Sequence, residues 1–361
     1  MSVIRVRAEH ESNEHHARGH VRSRKNSGWS RRGFLSALTL ASTAGFLGVK
    51  PNSFAAEPAP ETKKLKLIYR TDALCLAPQY IAEELLRAEG FTAVEYVKTR
   101  GGEGIEKTLA SGEANLSMHF APSWIARIEA GDPIVVIGGG HVGCYELIAS
   151  TRIRALRDLK GKSIAVPGLQ ATPRSLLAII LAQVGLHPSK DVTWVTRAAS
   201  EQVQLLTEGK IDAFLAFPPT AQELRAKKIG HVIFNSMMDK PWSQYFCCVV
   251  AGNRDFVRKN PVATKRALRG ILKAADLCGR EPERMARALV DQHFTDNYDY
   301  ALQTMKDMHY DQWRDYDPED TVRFFSLRLH EIGVIKSSPQ KIIAQGTDWR
   351  FLKELKKELK T

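Results

Sequence analysis

The sequence predicts an α/β fold of two lobes, each with a mainly parallel sheet flanked by helices. Residues 112–122 align with residues 209–219, at a constant offset of 97 positions. Each stretch reads as the end of a helix, a glycine, a short apolar strand and then Phe and Pro. A repeat of this kind indicates two related units, although glycine turns before strands are common enough for chance to remain an alternative.

Strand and helix patterns alternate along the first unit. Alternation of this type is typical of a largely parallel sheet that is covered on both faces. The apolar runs predict strands at 65–70, 94–98, 115–118 and 133–137, and helices at 77–88, 104–111 and 121–130. Gly138–Gly140 is expected to end the fourth strand, and it lacks the spacing of a phosphate-binding loop.

The second unit repeats the pattern between two strand-like runs at 144–150 and 244–252. Its strands are predicted at 163–166, 192–195, 213–216 and 231–234, and one helix is predicted to begin with Thr172 as the N-cap and Pro173 after it. From Asn253 to Thr361 the chain reads as helical. The two runs are expected to cross between the lobes as a two-strand hinge.

The predicted division is therefore a first lobe at 64–147, a second lobe at 148–248, and a return to the first lobe at 249–361 with a helical tail. Ligands of open α/β sheets bind at the carboxyl ends of the strands. A cleft between the lobes is the expected binding site, with Phe120 and Phe217 at equivalent positions on its two sides.

The net charge of +12 is unevenly distributed. Residues 1–56 hold nine Lys/Arg and three Asp/Glu, so half of the excess lies there. The rest is spread thinly, and basic runs interleaved with aromatic residues are lacking. Nucleic-acid binding is therefore not expected.

The N-terminal residues read as an export signal. Ser30–Leu35 matches the twin-arginine pattern, the apolar stretch 33–49 is short, and Ser53–Ala55 offers small residues for cleavage. We expect residues 1–56 to be a twin-arginine signal peptide region, 57–63 to be a linker, and the mature protein to be periplasmic. An uncleaved anchor or a chance pair of arginines remains the alternative.

Two motifs resemble those of a known family. Asp158–Val166 resembles the D-L-K-G-K entry to the second lobe of periplasmic solute-binding proteins, and Leu109–Asn115 resembles their first-lobe A-L-x-S-G-x-x-D pattern, with Asn115 in place of Asp. With 209–213, they are similar to the ABC-importer proteins that bind nitrate, sulfonates, taurine and thiamine-pyrimidine precursors.

This resemblance implies the class II periplasmic-binding-protein fold. It further implies a non-enzymatic protein that captures a small organic anion or heterocycle and delivers it to an ABC transporter permease. The expected partners are that permease and the twin-arginine export machinery, and we expect a monomer that needs no cofactor.

The predicted cleft loops carry the candidate binding residues. Phe120 and Phe217 are expected to enclose a planar part of the solute, while Arg100, or its equivalent Arg197, grips an anionic group and Thr172 offers the start of a helix. An aromatic ring that fills local core, or an arginine that pairs with a nearby carboxylate, is the simpler alternative. The full set is Asp72, Cys75, Arg100, His119, Phe120, His141, Tyr145, Gln170, Thr172 and Phe217.

Two of the five cysteines and two histidines lie on these loops. Thiolate and imidazole are ligands for soft metals and for haem iron. Cys75, His119, His141 and Cys144 therefore predict an alternative function, a metal- or haem-carrying protein or enzyme on the same fold. Cys247 and Cys248 are interpreted as part of a buried crossover strand.

Overall fold

The computed structural model describes residues 57–70, 73–99, 103–169 and 171–360. The predicted signal region, together with Asp72, Arg100 and Gln170, lies outside the described residues. Among the residues described, none of the helices has the length and apolar character needed to span a bilayer.

The described strands follow the chain in two groups. They are β1 (Lys64–Arg70), β2 (Ala93–Thr99), β3 (Leu116–Phe120), β4 (Ile134–Val142), β5 (Glu146–Ala149), β6 (Lys162–Val166), β7 (Val192–Thr196), β8 (Ala213–Ala216), β9 (His231–Asn235) and β10 (Phe246–Asn253). The described α-helices are α1 (Ala77–Tyr80), α2 (Glu83–Ala88), α3 (Glu103–Ala110), α4 (Ala121–Glu129), α5 (Thr172–Gln183), α6 (Ala199–Thr207), α7 (Thr220–Lys227), α8 (Arg254–Lys259), α9 (Pro261–Arg280), α10 (Pro282–Asp291), α11 (Tyr298–Asp307), α12 (Pro318–Glu331), α13 (Pro339–Gly346) and α14 (Arg350–Glu358).

Two five-stranded sheets share one topology. The first has the order β2-β1-β3-β10-β4, and the second has the order β7-β6-β8-β5-β9. In the first sheet β10 is antiparallel to both neighbours while β1 is parallel to β2 and β3, and in the second sheet β5 takes the same reversed place. The predicted α/β fold with mainly parallel sheets is confirmed.

The repeat is visible in individual hydrogen bonds. The backbone N–H of Lys66 donates to Asn115 Oδ1 at 2.8 Å, and the backbone N–H of Ser163 donates to Asp212 Oδ2 at 2.9 Å. Both members of the second pair lie 97 positions after those of the first. Each side chain therefore ties the start of a central strand to its parallel neighbour, which gives the sequence register a structural cause.

The chain changes sheets in two short connections. It leaves the first sheet after Val142 and enters the second at Glu146, and it returns between Asn235 and Phe246. All of β5 lies in the second sheet and all of β10 in the first. The sheets thus exchange strands a few residues before the predicted boundaries at 147 and 248, which remain predictions.

The two connections are fastened to each other. Ser236 Oγ, in the second connection, accepts hydrogen bonds from the backbone N–H groups of Cys144 at 3.1 Å and Tyr145 at 2.9 Å. Gly143 has a φ of +61°, and a Cβ there would lie 2.4 Å from Met237 Cβ. Glycine at this turn permits both the left-handed backbone and the close approach.

Three local expectations need correction. β4 does not end at the glycines but continues to Val142, because β10 pairs along it and the Phe246 ring occupies the space above Gly139, where a Cβ would lie 2.3 Å from Phe246 Cζ. The helix predicted at 77–88 is two helices, α1 and α2. Thr172 is the first residue of α5 and Ala171 is the N-cap, so the helix begins one residue earlier than predicted.

The C-terminal helices complete the first lobe. α9 packs against α1, α2 and the 3-10 helix Tyr310–Arg314, and it buries Ala267, Ile271 and Ala274 on one face. Asp276 of α9 accepts hydrogen bonds from Arg314 at 2.6 Å and 2.8 Å. This packing places Tyr310 next to the 3-10 helix Leu74–Leu76, where its hydroxyl lies 3.2 Å from the Cys75 carbonyl oxygen.

Candidate functional site

A cavity of about 1070 Å³ lies between the two sheets. Its walls come from the carboxyl ends of β1, β3 and β8, the first connection between the sheets and the starts of three helices of the second lobe. Six of the predicted site residues line it. They are Cys75, His119, Phe120, Tyr145, Thr172 and Phe217.

Arg70 supplies a guanidinium to the cavity wall. It is the last residue of β1, is 7% exposed, and its Cζ lies 5.9 Å from the centre of the Phe217 ring. The sequence reasoning missed Arg70 and favoured Arg100, outside the described residues, or Arg197. Arg197 is exposed, does not line the cavity and lies 4.0 Å from Glu201. Arg70 could have been identified from its position at the end of β1, because this is the same sheet edge that carries Phe120.

Three helix N-termini face the same cavity. Residues at the starts of α5, α6 and α7 line it, among them Ala171, Ala199 and Thr220. The N-terminus of a helix carries partial positive charge and backbone N–H groups without partners inside the helix. Together with Arg70 of the first lobe, these ends make the cavity attractive to an anion.

The aromatic side chains form a row rather than a sandwich. Tyr145 makes edge contacts with Phe120 at a centroid distance of 5.2 Å and with Phe217 at 5.6 Å. Phe120 is 2% exposed and also packs on Phe325. Phe217, which is half-buried, is therefore the most exposed ring of the row, because Phe120 and Tyr145 are both buried.

Burial raises the pKa of the Tyr145 hydroxyl well above its ordinary value. The hydroxyl is therefore protonated at neutral pH. A protonated hydroxyl can donate a hydrogen bond to a bound anion.

His119 is held by a carboxylate. Its Nε2 lies 2.9 Å from Glu106 Oε1, and its ring contacts Trp124 edge-on at 5.3 Å. Burial alone would raise the pKa of Glu106, but the positive charge of His119 and its hydrogen bond lower it below the ordinary 4.5. The pair fixes the imidazole at the cavity wall.

The two lobes also touch at the rim of the cavity. The Leu74 N–H donates to the Pro218 carbonyl at 3.1 Å, and the Ser123 hydroxyl of α4 contacts the Thr172 hydroxyl of α5. A smaller cavity of about 310 Å³ lies beside the second contact and shares Thr172 with the main cavity.

Four thiols and one imidazole lie together where the connections meet the cavity, and we call Cys75, His141, Cys144, Cys247 and Cys248 the Cys/His cluster. Cys75, Cys144 and Cys248 line the cavity, whereas His141 is fully buried behind them. Of the metal-ligating set predicted from the sequence, His119 stays with Glu106 and belongs to neither triad of close donors within the cluster. Cys247 and Cys248 were not recognised as members from the sequence.

Solved structures of other proteins share this fold. The periplasmic nitrate-binding protein NrtA from Synechocystis PCC 6803 superimposes with a TM-score of 0.70 at 16% identity, covering 84% of this chain and 90% of that one. The alkanesulfonate-binding protein SsuA from Xanthomonas axonopodis pv. citri, bound to MOPS, gives 0.59 at 18% identity over 76% and 94% of the two chains. Both likenesses are in fold, and they agree with the periplasmic-binding-protein architecture.

Sequence relatives agree with the structural ones. The taurine-binding periplasmic protein of Escherichia coli strain K12 is 26% identical over 215 residues, which span 57% of this chain and 66% of that protein. Residues 58–290 match the model of the NMT1-like family. The matched residues include every strand of both β-sheets and most of the cavity wall. The chain belongs to the NMT1-like family.

Proposed function

We propose that this protein is an exported solute-binding protein that captures a small organic anion between its lobes and delivers it to an ABC importer. The cavity of about 1070 Å³, walled by Arg70 and by three helix N-termini, is the observation that carries the proposal. It is somewhat larger than the roughly 300–1,000 Å³ of typical small-molecule sites.

The residues that line the cavity indicate the charge of the solute. Arg70 and the starts of α5 and α6 favour negative charge, and a guanidinium can hold a carboxylate or sulfonate through two parallel hydrogen bonds. Glu223, on the first turn of α7, also lines the cavity, and its carboxylate is paired with Lys227. The protonated Tyr145 hydroxyl adds a donor. The names of the relatives, which specify taurine, nitrate and alkanesulfonate, support the same class of solute.

The remainder of the solute packs on the aromatic row. Phe217 and Tyr145 provide apolar surface next to Arg70, so an anion with a short aliphatic or aromatic tail fits better than a bare inorganic ion. Binding and release by closure about the two connections require no chemical step, and we propose that the protein is not an enzyme. Its membrane partner is then an ABC permease.

We also propose export by the twin-arginine pathway, on the strength of Arg31 and Arg32. Replacing both by Lys should leave the precursor in the cytoplasm, because the pathway reads the paired guanidinium groups. Undiminished periplasmic protein from this double variant would contradict the route.

The solute proposal is tested by calorimetry with butanesulfonate, benzenesulfonate and hexanoate, each against its neutral amide. We expect the anions to bind and the amides to bind at least tenfold more weakly. Arg70→Gln should weaken anion binding at least tenfold, since a charge-assisted hydrogen bond contributes about 1.5–3 kcal/mol.

Arg197→Gln is the matched control, because this exposed arginine lies outside the cavity, and it should bind as wild type does. Phe217→Ala should also lose about tenfold or more in affinity while the circular dichroism of the free protein is unchanged. Equal affinity for anions and amides, or full affinity in Arg70→Gln, would refute an anion site at this wall.

A further inference from the structure

The Cys/His cluster has the donor spacing of a metal site. All five side chains are buried, and they form two triads, Cys75–His141–Cys248 and Cys144–Cys247–Cys248. Within each triad the ligand atoms lie within 4.8 Å of one another. Cys248 belongs to both and is therefore the centre of the cluster.

A bulge in β10 brings the two adjacent cysteines together. Neighbouring residues of a regular strand point to opposite faces of the sheet. The pairing of β10 with β4 shifts register on both sides of Cys248, which lies opposite His141. Such shifts re-aim side chains, and here both Cys247 and Cys248 reach the thiol of Cys144.

His141 supplies the independent sign of a missing ligand. Its side chain is 0% exposed, and its Nδ1 lies 2.8 Å from the Gly143 carbonyl oxygen. That bond places the proton on Nδ1 and leaves the lone pair on Nε2, which has no hydrogen-bond partner among the described residues. A buried acceptor without a partner is costly, and metal-binding histidines commonly have this arrangement, with the second nitrogen bonded to a carbonyl.

We propose that the Cys/His cluster binds one thiophilic d10 cation, Zn²⁺ or Cu⁺, through Cys75 Sγ, Cys248 Sγ and His141 Nε2. Cys144, which interacts with the thiols of both Cys75 and Cys248, can complete a set of three thiolates and one imidazole. That set is one of those used by structural zinc sites, and sulfur-rich sets also suit Cu⁺. Each thiol that becomes a ligand gives its proton to solvent.

The cluster adjoins the cavity through three of its cysteines, so the proposed metal site lies beside the proposed anion site. The metal assignment does not depend on the solute.

The test uses the mature protein, reduced and free of metal, with no solute present. One arm adds Zn²⁺ in competition with a chromophoric chelator, and the other adds Cu⁺ in competition with bathocuproine. We expect one equivalent to bind in at least one arm and to raise the thermal midpoint. Replacing the ion by Co²⁺ should give a sulfur-to-cobalt charge-transfer band, which reports thiolate ligation in the wild-type protein without any variant.

Cys248→Ser and His141→Gln should each weaken metal binding at least tenfold. Cys278→Ser is the matched control, since Cys278 is equally buried in α9 but belongs to neither triad, and it should bind metal as wild type does. Absence of uptake by the reduced protein, a cobalt complex without the sulfur band, or equal binding by folded Cys248→Ser would overturn the proposal.

A disulfide between Cys144 and Cys247 would compete with metal binding. Their Sγ atoms lie 2.9 Å apart. Thiol counting on protein isolated from the periplasm would detect a disulfide here, and a disulfide with no metal uptake after reduction would assign the cluster to redox chemistry instead.

Discussion

The reversed strands of the two sheets, β5 and β10, occupy the same place in the topology but bury different chemistry at the ends that adjoin the connections. Glu146 at the start of β5 is 4% exposed and is bonded to Arg225, which also pairs with Asp307. Near the start of β10, the corresponding environment is the Cys/His cluster. One fold position therefore supports an ion-pair network in one lobe and a soft donor set in the other.

The difference shows which features the topology determines and which it leaves free. The bonds of Lys66 to Asn115 and of Ser163 to Asp212 are repeated because they hold the strand order common to both sheets. The groups at the strand ends are not repeated, because they serve the connections and the cavity. The groups that differ between the lobes accordingly lie at those ends.

The largest effect is expected in the ion-pair network. Arg225→Ala leaves the buried Glu146 carboxylate without its cation, and breaking a buried pair from one side costs about 3–5 kcal/mol. Arg225 is partly exposed, so we expect about 3 kcal/mol in urea unfolding. Burial already raises the pKa of Glu146 against the opposing charge of Arg225. Without Arg225 the protonated form of Glu146 is favoured further. The loss of unfolding free energy in Arg225→Ala should therefore be larger at about pH 8 than at about pH 5.

Lys227→Ala is the control on the same helix. Lys227 forms an exposed pair with Glu223 at 2.5 Å, and such surface pairs contribute about 0–1 kcal/mol. If Arg225→Ala and Lys227→Ala lost equal stability, the contrast between the two reversed strands would have no energetic meaning.

A smaller effect should separate the repeated side chains. Asp212 Oδ2 accepts from both the N–H and the hydroxyl of Ser163 at 2.9 Å, whereas Asn115 Oδ1 accepts from the Lys66 N–H. Hydrogen bonds to a charged group contribute about 1.5–3 kcal/mol and neutral ones about 1 kcal/mol. In denaturant unfolding, Asp212→Ala should therefore lose about twice as much stability as Asn115→Ala. Equal losses would show that the serine hydroxyl adds nothing in the second lobe.

The smallest expected effect is a dependence on pH at the Glu106–His119 pair. The pKa of Glu106 in the folded protein lies below 4.5, so its stabilising contribution is present above that pH and is lost as the pH falls through the folded value. Glu106→Gln removes a net of about 1 kcal/mol at neutral pH. Unfolding at neutral pH and at about pH 3 should show that the gap between wild type and variant closes on acidification. A gap that stays constant would mean that the carboxylate charge is not involved.

The sequence predicted the sheets and the position of the cavity because both depend on local patterns. Apolar runs and glycine stops define β3 and β8, and the 97-residue register brought Phe120 and Phe217 to equivalent strand ends. Which rings touch was not predictable, since Tyr145 comes from a connection between the sheets and its position between Phe120 and Phe217 depends on tertiary packing.

The Cys/His cluster shows in more detail what could not be predicted from the sequence. Cys247 and Cys248 were predicted to be strand residues, and the alternation of a regular strand places their side chains on opposite faces of the sheet. The register shift between β10 and β4 brings both cysteine side chains to Cys144. That shift occurs where β4 continues through Gly138–Gly140, beside the Phe246 ring. A single sequence carries no periodic signal for such a bulge.

The bonds of Ser236 to the backbone of Cys144 and Tyr145 limit how the lobes can move. If the lobes close on a solute, the two connections would have to bend together, because these hydrogen bonds hold them side by side. Tyr145 belongs to the first connection and to the cavity wall, so a molecule that contacts its ring would act directly on the fastened connections.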